Sequence, residues 1–182
     1  MQHLAHVEIV ELKPAMKQWV ERLVAWENDI SIRHLISPSK SEDEFSSTVV
    51  SQKDIIQRIE SFGNCDSTFL WGLLADNEPV GTMSSAIDVP IIHAPYPGTI
   101  WPGLVIGEAG SRRRGVGRQA MSWLEKFALE KGCRRIELGV FEYNEPSRAL
   151  CAAMGYSEFA RIPEFTWWKG KLWADIRMEK WL

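Results

Sequence analysis

The segment from Glu108 to Gly117 constrains the fold of this chain most, and it reads Glu-Ala-Gly-Ser-Arg-Arg-Arg-Gly-Val-Gly. It follows the apolar run Leu104–Ile106 and precedes an amphipathic stretch, so the pattern predicts a strand, a loop and a helix N-terminus. Glycines let a backbone approach a ligand closely, and the first N–H groups of a helix lack intrahelical partners. The helix dipole and forked arginine donors both favour phosphate. The segment therefore predicts a cradle for a diphosphate.

Three kinds of phosphate loop are separated by their spacing. A P-loop needs lysine and a hydroxyl residue after its last glycine, but Val116 and Gly117 follow Gly115. A Rossmann turn, Gly-x-Gly-x-x-Ala, fits formally from Gly115, yet the eight residues between Ile106 and Gly115 are too many for its tight turn. The third pattern, Arg/Gln-x-x-Gly-x-Gly/Ala, is met by Arg112, Gly115 and Gly117. A solvated arginine run before a surface helix is the plain alternative.

Composition bounds the class of protein. With 182 residues, of which 45% are hydrophobic and 25% charged, the chain is expected to form one globular domain over residues 1–182. The net charge of −3 and the local placement of the arginines argue against nucleic-acid binding. No signal peptide is recognised, and prolines interrupt the uncharged stretch 89–107, so no membrane segment is expected. Three widely spaced cysteines favour a reduced, cytoplasmic setting without a metal site.

Periodicity predicts the element order β-α-α-β-β-β-α-β-α-β-β, a mixed sheet with helices packed on it. Residues 28–50 are expected to be surface chain near a substrate cleft. The predicted strands cover 7–12, 68–74, 80–87, 99–106, 136–140, 156–162 and 172–181, and the predicted helical segments are 14–27, 41–62, the segment from Val116 to Gly132, and a short helix after Asn144.

A second segment, Asn144 to Tyr156, reads Asn-Glu-Pro-Ser-Arg-Ala-Leu-Cys-Ala-Ala-Met-Gly-Tyr. Together with the basic loop and Ile106-Gly107-Glu108, it resembles the GCN5-related N-acetyltransferase (GNAT) family, in the style of its ribosomal-protein and spermidine N-acetyltransferase branch. The resemblance covers nearly the whole chain. It implies an α/β fold with a mostly antiparallel mixed sheet, whose central strands splay apart to admit acetyl-CoA.

The resemblance also implies the binding residues. The backbone of Leu104, Val105 and Ile106 would pair with the pantetheine arm, and the diphosphate would lie on the loop and helix start. Asn144 would contact the cofactor with Ser147 beside it, although Asn144 is equally explained as a helix N-cap. The residues expected at the diphosphate are Arg112, Arg113, Arg114, Gly115, Val116, Gly117 and Arg118.

Catalytic groups are less determined by the sequence. Cys151 stands where many family members carry a tyrosine, so it is a candidate acid for the leaving thiolate; a buried apolar role and protonation by water are the alternatives. A covalent acetyl-cysteine is disfavoured because no histidine is adjacent. Glu108, at the end of the key strand, ranks first as the proton acceptor. Other candidates for that role are Asp88, His93, Tyr96, Glu142 and Asp175.

These observations predict an acetyl-CoA-dependent N-acetyltransferase that acts on a primary amine, either a small molecule or a protein α-amine, by direct attack in a ternary complex. A non-catalytic acyl-CoA sensor and, less favoured, a dinucleotide-binding oxidoreductase are the alternatives. Glu42, Asp43 and Glu44 either attract a cationic amine or start a solvated helix. A homodimer is compatible with the sequence, because the tryptophans at 167, 168 and 173 suit a dimer face, an acceptor wall or a core.

Overall fold

The computed structural model describes residues 4–182. Residues 1–3, part of the N-terminal stretch in which no signal peptide is recognised, lie outside the described residues. Seven strands form one sheet: β1 (Val7–Glu11), β2 (Thr68–Ala75), β3 (Glu78–Ile87), β4 (Thr99–Ile106), β5 (Arg135–Phe141), β6 (Ser157–Trp168) and β7 (Lys171–Trp181). The helices are α1 (Lys17–Asn28), α2 (Ile30–Ile36), α3 (Glu42–Ser47), α4 (Gln52–Gly63), α5 (Val116–Glu130) and α6 (Glu145–Ala153).

The predicted order of strands is confirmed, as are the helices that follow β4 and β5. Residues 28–50 differ in part from the prediction, because α2 lies in what was expected to be surface chain, whereas α3 and α4 both fall within the predicted helical segment 41–62. The side chain of Arg33 holds this region together: its guanidinium donates to the carbonyls of Phe45 and Thr48 and stacks over the Phe45 ring. These contacts join residues 12 and 15 positions apart, which local periodicity does not detect.

The strand β6 also exceeds its predicted range of 156–162 and continues to Trp168. Pro163 falls within it, and the pairing with β7 shifts register between Ile162 and Thr166. A proline cannot donate to the ladder and is accommodated at a bulge or edge. β6 is an edge strand of the sheet, so it can continue past the irregularity.

The two central strands, β4 and β5, pair in parallel while every other neighbouring pair is antiparallel. Their pairing involves Thr99 with Arg135 and Ile100 with Ile136, and beyond these residues the strands separate. Pro102 follows just after the separation and has no N–H to donate. The sheet thus has the splayed centre that the sequence resemblance implied.

Each face of the sheet has its own apolar core. On one face, α5 packs Val116, Ala120 and Leu124 against the strands, and all three are fully buried. On the other face, α1 and α4 bury a second cluster that includes Trp19 and Ile55. The cavity described below lies between these two layers, where β4 and β5 diverge.

Beside the second core, β5 and β7 carry a buried network of charges. Arg135 pairs with Glu137 at 2.8 Å and with Glu179 at 2.7 Å, and both Arg135 and Glu137 are at most 1% exposed. Arg177 approaches Glu137 at 3.7 Å and Asp175 at 2.9 Å. Alternating signs compensate one another, which a buried charge requires.

The same network fixes the proline-rich loop 88–98 that connects β3 to β4. The backbone N–H of Ala94 donates to Glu137, and the Ile91 carbonyl accepts from Arg177 at 3.0 Å. Loop backbone that crosses a sheet face without strand partners needs such acceptors and donors. The network therefore anchors one wall of the cavity, to which Ile91 belongs.

Replacing Glu137 with alanine should lower the free energy of unfolding by about 3–5 kcal/mol, because it leaves Arg135 and Arg177 buried without their shared anion. Urea denaturation followed by tryptophan fluorescence measures the change. The matched control is Glu60→Ala on the exposed face of α4, expected to shift stability by no more than about 0.5 kcal/mol. Equal losses in the two variants would contradict the structural role of the network.

Candidate functional site

The divergence of β4 and β5 opens a cavity of about 350 Å³, a size typical of small-molecule sites. β4 contributes Gly103, Leu104 and Val105 to its wall, and β5 contributes the segment Leu138–Phe141. The remaining walls come from α1, α2, α4, α5, α6 and loop 88–98, with single residues of β2, β6 and β7 and two of β3. Two of the strand residues that the resemblance assigned to the cofactor, Leu104 and Val105, thus face one shared space; Ile106 packs instead against the core under α5.

At the C-terminal end of β4, the basic loop takes a shape suited to an anion. A 3-10 turn at Ala109–Ser111 is followed by left-handed backbone at Arg113 (φ +61°) and Gly115 (φ +83°). Gly115 is the N-cap of α5 and has no side chain to cap it. The N–H groups of Val116, Gly117 and Arg118 therefore lack helical partners, as the first N–H groups of a helix do. Such a terminus binds phosphate readily.

The three arginines of the loop and Arg118 in the first turn of α5 have different roles. Arg112 donates to the carbonyls of Ile106 and Gly107, and Arg114 pairs with Asp76 at 2.7 Å. Both side chains thus tie the loop to neighbouring backbone and strand. Arg113 and Arg118 are exposed, and within residues 4–182 neither guanidinium has a hydrogen bond or an ion pair. These two guanidinium groups are therefore free of protein partners beside the helix N-terminus.

Gly117 brings three elements close together at the cradle. A Cβ at this position would lie 3.0 Å from the Leu150 side chain of α6 and 3.6 Å from that of Leu104 in β4. The glycine therefore lets the first turn of α5 approach both the key strand and α6. This contact joins the loop that is predicted to bind a diphosphate to the cavity.

Helix α6 presents three predicted residues to the cavity: Asn144, Ser147 and Cys151. The side chain of Asn144 accepts from the Ser147 N–H at 3.3 Å, so the N-cap role of Asn144 is confirmed. Cys151 lies one turn further along and is 4% exposed. Burial raises the pKa of its thiol to about 11, against a smaller lowering by Ser147.

Glu108 does not line the cavity. Its carboxylate accepts from Arg22 at 2.8 Å and from the Trp26 indole at 3.0 Å, which ties the end of β4 to α1. Gly107 is packed against the same indole: an added Cβ would lie 2.2 Å from it. The contact with Trp26 is the feature that sequence spacing did not reveal, since the partners are 82 positions apart.

A family model described as the acetyltransferase (GNAT) family matches residues 30–156. The chain belongs to the GNAT acetyltransferase family. Because this family consists of acetyltransferases, the protein is an acyltransferase. The matched range contains all the cavity-lining residues of β4, β5 and α6. No curated protein sequence is significantly similar to the chain.

Solved structures share the GNAT fold at low identity. The ribosomal-protein-alanine N-acetyltransferase of Brucella melitensis has a TM-score of 0.72 and 19% identity, over 96% of this chain and 99% of that one. The spermidine N-acetyltransferase of Vibrio cholerae, in complex with CoA and spermine, has a TM-score of 0.76 and 12% identity, over 96% of this chain and 95% of that one. The yncA protein of Salmonella typhimurium, solved with acetyl-CoA, has a TM-score of 0.75 and 15% identity, over 97% of this chain and 94% of that one. These likenesses confirm the fold.

The Rossmann alternative is wrong for this GNAT protein, because its sheet contains one parallel pair instead of a doubly wound parallel core. Across the part of the chain that the structure describes, no group of three or more histidine, cysteine, aspartate or glutamate side chains is placed to hold a metal ion. None of the helices within residues 4–182 has the length and apolar character needed to cross a bilayer.

Among the other predicted proton acceptors of this GNAT protein, only Asp175 lines the cavity. Asp88 accepts from the N–H groups of Gly98 and Thr99 in a turn, and Glu142 pairs with Arg161, which lowers its pKa. The two remaining candidates, His93 and Tyr96, lie in loop 88–98, away from the cavity lining. Burial raises the pKa of Asp175 to about 6.

The C-terminal tryptophans pack against the α2–α3 region. Trp168 stacks on His34 with ring centroids 4.0 Å apart, and the Trp173 indole donates to the Trp168 carbonyl. The Trp167 ring lies near Phe45, and the backbone N–H of Trp167 donates to the Ser39 carbonyl. Trp167 and Trp168 therefore fasten the β6–β7 hairpin to α2 and α3, while Trp173 packs against Tyr143. The acidic run 42–44 forms the first turn of α3, capped by Ser41.

The three cysteines should separate clearly by reactivity. Cys65 is exposed and its pKa is lowered by hydrogen bonds from Ser67, whereas burial raises the pKa of Cys133 and of Cys151. At pH 8 a disulfide reagent should titrate one thiol of the native protein about 100-fold faster than the others. Cys65→Ser should remove that fast phase; its loss in Cys151→Ser instead would contradict the buried placement of Cys151.

Proposed function

We propose that the protein is an acetyl-CoA-dependent N-acetyltransferase that transfers the acetyl group to a primary amine by direct attack within a ternary complex. One observation carries the proposal: the splayed gap between β4 and β5 opens beside an uncapped helix N-terminus with two unpaired arginines. A long ligand with an apolar arm and a diphosphate fits this combination of features.

The described residues fit acetyl-CoA in three places. The N–H groups from Arg113 to Arg118 receive the diphosphate, with the charge supplied by those two arginines. The backbone of Leu104, Val105 and Ile106 is open on the side of β5 and pairs with the pantetheine arm. Asn144 and Ser147 close the arm from α6, on the cavity wall that they share with β4.

Backbone N–H groups near Val105 or Ile106 are proposed to polarise the thioester carbonyl, since fixed donors stabilise developing negative charge. The leaving thiolate then needs a proton. An ordinary alkyl thiol has a pKa of about 8.5, so transfer from Cys151, with a pKa of about 11, is unfavourable. This favours the amine's own proton or water over Cys151. To accept a proton from the amine, the Glu108 carboxylate would first have to break its hydrogen bonds to Arg22 and Trp26. This favours a structural role for Glu108, in which it ties β4 to α1.

The acceptor class is supported by the names of the similar structures. One is a spermidine N-acetyltransferase and another a ribosomal-protein-alanine N-acetyltransferase, so both act on amines. A carboxylate with a pKa of about 6 in the cavity wall is the group that an ammonium-bearing acceptor requires. The acyl-CoA sensor remains as the alternative, and release of free CoA in the presence of amines distinguishes the two.

Reversing both free loop charges, Arg113→Glu with Arg118→Glu, should weaken acetyl-CoA binding by at least about tenfold, because two cations at the diphosphate become anions. Calorimetric titration measures the affinity. Acetyl-pantetheine lacks the diphosphate, so its affinity should not change in the same variant.

The matched control is Lys53→Glu with Lys126→Glu, which changes the net charge equally at exposed positions of α4 and α5. It should bind acetyl-CoA as the wild type does. Equal weakening in both double variants would show a general charge effect and contradict the loop assignment. If acetyl-CoA binds but no amine in a panel causes CoA release, the sensor reading replaces the enzyme.

A further inference from the structure

Asp175 is a buried carboxylate in the cavity wall, and strand geometry places it there. β7 pairs Asp175 with Phe141 of β5, and the carboxylate covers Gly139, where an added Cβ would lie 2.6 and 2.7 Å from its two oxygens. Only glycine leaves this room. Asp175 is 2% exposed and lines the same cavity as Leu104 and Val105. It therefore faces the space beside the strand proposed to hold the acyl group.

One oxygen of this carboxylate lacks a partner. Oδ2 lies 2.9 Å from Arg177, whereas Oδ1 accepts no hydrogen bond from any residue of the described range. Glu27, the other acidic residue of the cavity wall, has both oxygens bound by Arg58. A buried acceptor without a donor is costly, so native proteins nearly always satisfy it. We therefore expect a hydrogen-bond donor from a bound ligand to pair with Oδ1.

The charges around Asp175 keep it ionised near neutral pH and close to protonation. Burial raises its pKa most, Arg177 on the same strand lowers it, and Glu137 from β5 raises it, with a net pKa of about 6. Glu137 is itself compensated by Arg135 at 2.8 Å. Asp175 is consequently a carboxylate at pH 7 and a carboxylic acid below pH 6.

Most of the cavity wall near the second core is apolar. It includes Leu35, Ile36, Phe62, Ile91, Trp101 and Phe165. Resting on the proposed function above, we propose that Asp175 is the catalytic residue that binds the acceptor's ammonium group and takes its proton, and that the acceptor is a primary amine on a compact apolar body, such as an arylalkylamine. A polyamine would bring a second ammonium, but Glu27 is already bound by Arg58.

The step balances as follows. Oδ1 takes one proton from the bound ammonium, which replaces two buried charges with a neutral amine and a carboxylic acid; burial favours this exchange. The amine lone pair forms the N–C bond to the thioester carbonyl carbon, and the C–S bond breaks with its electron pair on sulfur. The excess proton on nitrogen passes to that sulfur, giving the CoA thiol. Asp175 releases its proton to solvent as the amide leaves.

Calorimetry on the protein with CoA tests the assignment with three probes: 2-phenylethylamine, 2-phenylethanol and spermidine. Phenylethylamine should bind at pH 7.5, more tightly than spermidine, and lose about tenfold in affinity per pH unit below 6 as Asp175 protonates. Phenylethanol has the same body without the ammonium, so its affinity should not depend on pH.

Asp175→Asn should weaken phenylethylamine binding by about 100-fold and leave phenylethanol and acetyl-CoA binding unchanged. The kcat/KM of this variant should be about 10²–10⁴-fold lower. Its pH–rate profile should also lack the limb near pH 6 in which kcat/KM rises with pH. Asp66→Asn, at an exposed position, is the matched control and should match the wild type. Glu108→Gln should retain the limb, which separates the two candidate bases.

The inference is overturned if phenylethylamine binding to the wild type is absent or independent of pH between 5 and 7, or if the limb disappears in Glu108→Gln instead. The wild-type pH series decides even if Asp175→Asn does not fold. Acetyl-CoA titration of the same preparations separates the failures. Intact acetyl-CoA binding without these amine effects overturns this inference alone, whereas absent acetyl-CoA binding overturns the proposed function and this inference with it.

Discussion

The functional architecture depends on one constraint, the early end of the hydrogen-bonded pairing between β4 and β5. Two residues of β4 pair with β5, and the remainder of the strand then stands free on that side. A sheet that separates at its centre must be held by something other than its ladder. Here α5 and α6 pack close together over Gly117 on one face, and loop 88–98 with the charged network holds the other. The gap between them is the candidate site.

The buried charges on β5 and β7 serve both the fold and the proposed chemistry. Arg135, Glu137 and Arg177 secure the loop that forms a cavity wall, and the series of alternating charges ends at Asp175, which lines the cavity. Buried ion pairs contribute little net stability compared with apolar packing. Their value in this position is to hold the Asp175 carboxylate at a defined place, while burial raises its pKa.

Much of the fold could be predicted because its signals are local. Three such signals act within a few residues of chain: the glycine-rich turn at Gly115, the N-cap at Asn144 and the apolar period of α5. Each predicted helix start is present in the structure. Other features depend on distant partners. The role of Arg33 in holding α2 to α3, the binding of Glu108 by Trp26, and the orphaned oxygen of Asp175 arise only when strands and helices meet. Local periodicity carries no information about them.

Amide hydrogen exchange with and without acetyl-CoA tests the central claim, that the free side of β4 and the loop after it form the cofactor site. The predicted result is added protection at Gly103 to Ile106 and at Arg113 to Arg118, with β1 and β2 unchanged at the far edge of the sheet. Protection confined to the groove between β1 and α5, around Ile9 and Trp123, would contradict the account. So would acetyl-CoA binding that leaves β4 exchanging as it does in the free protein.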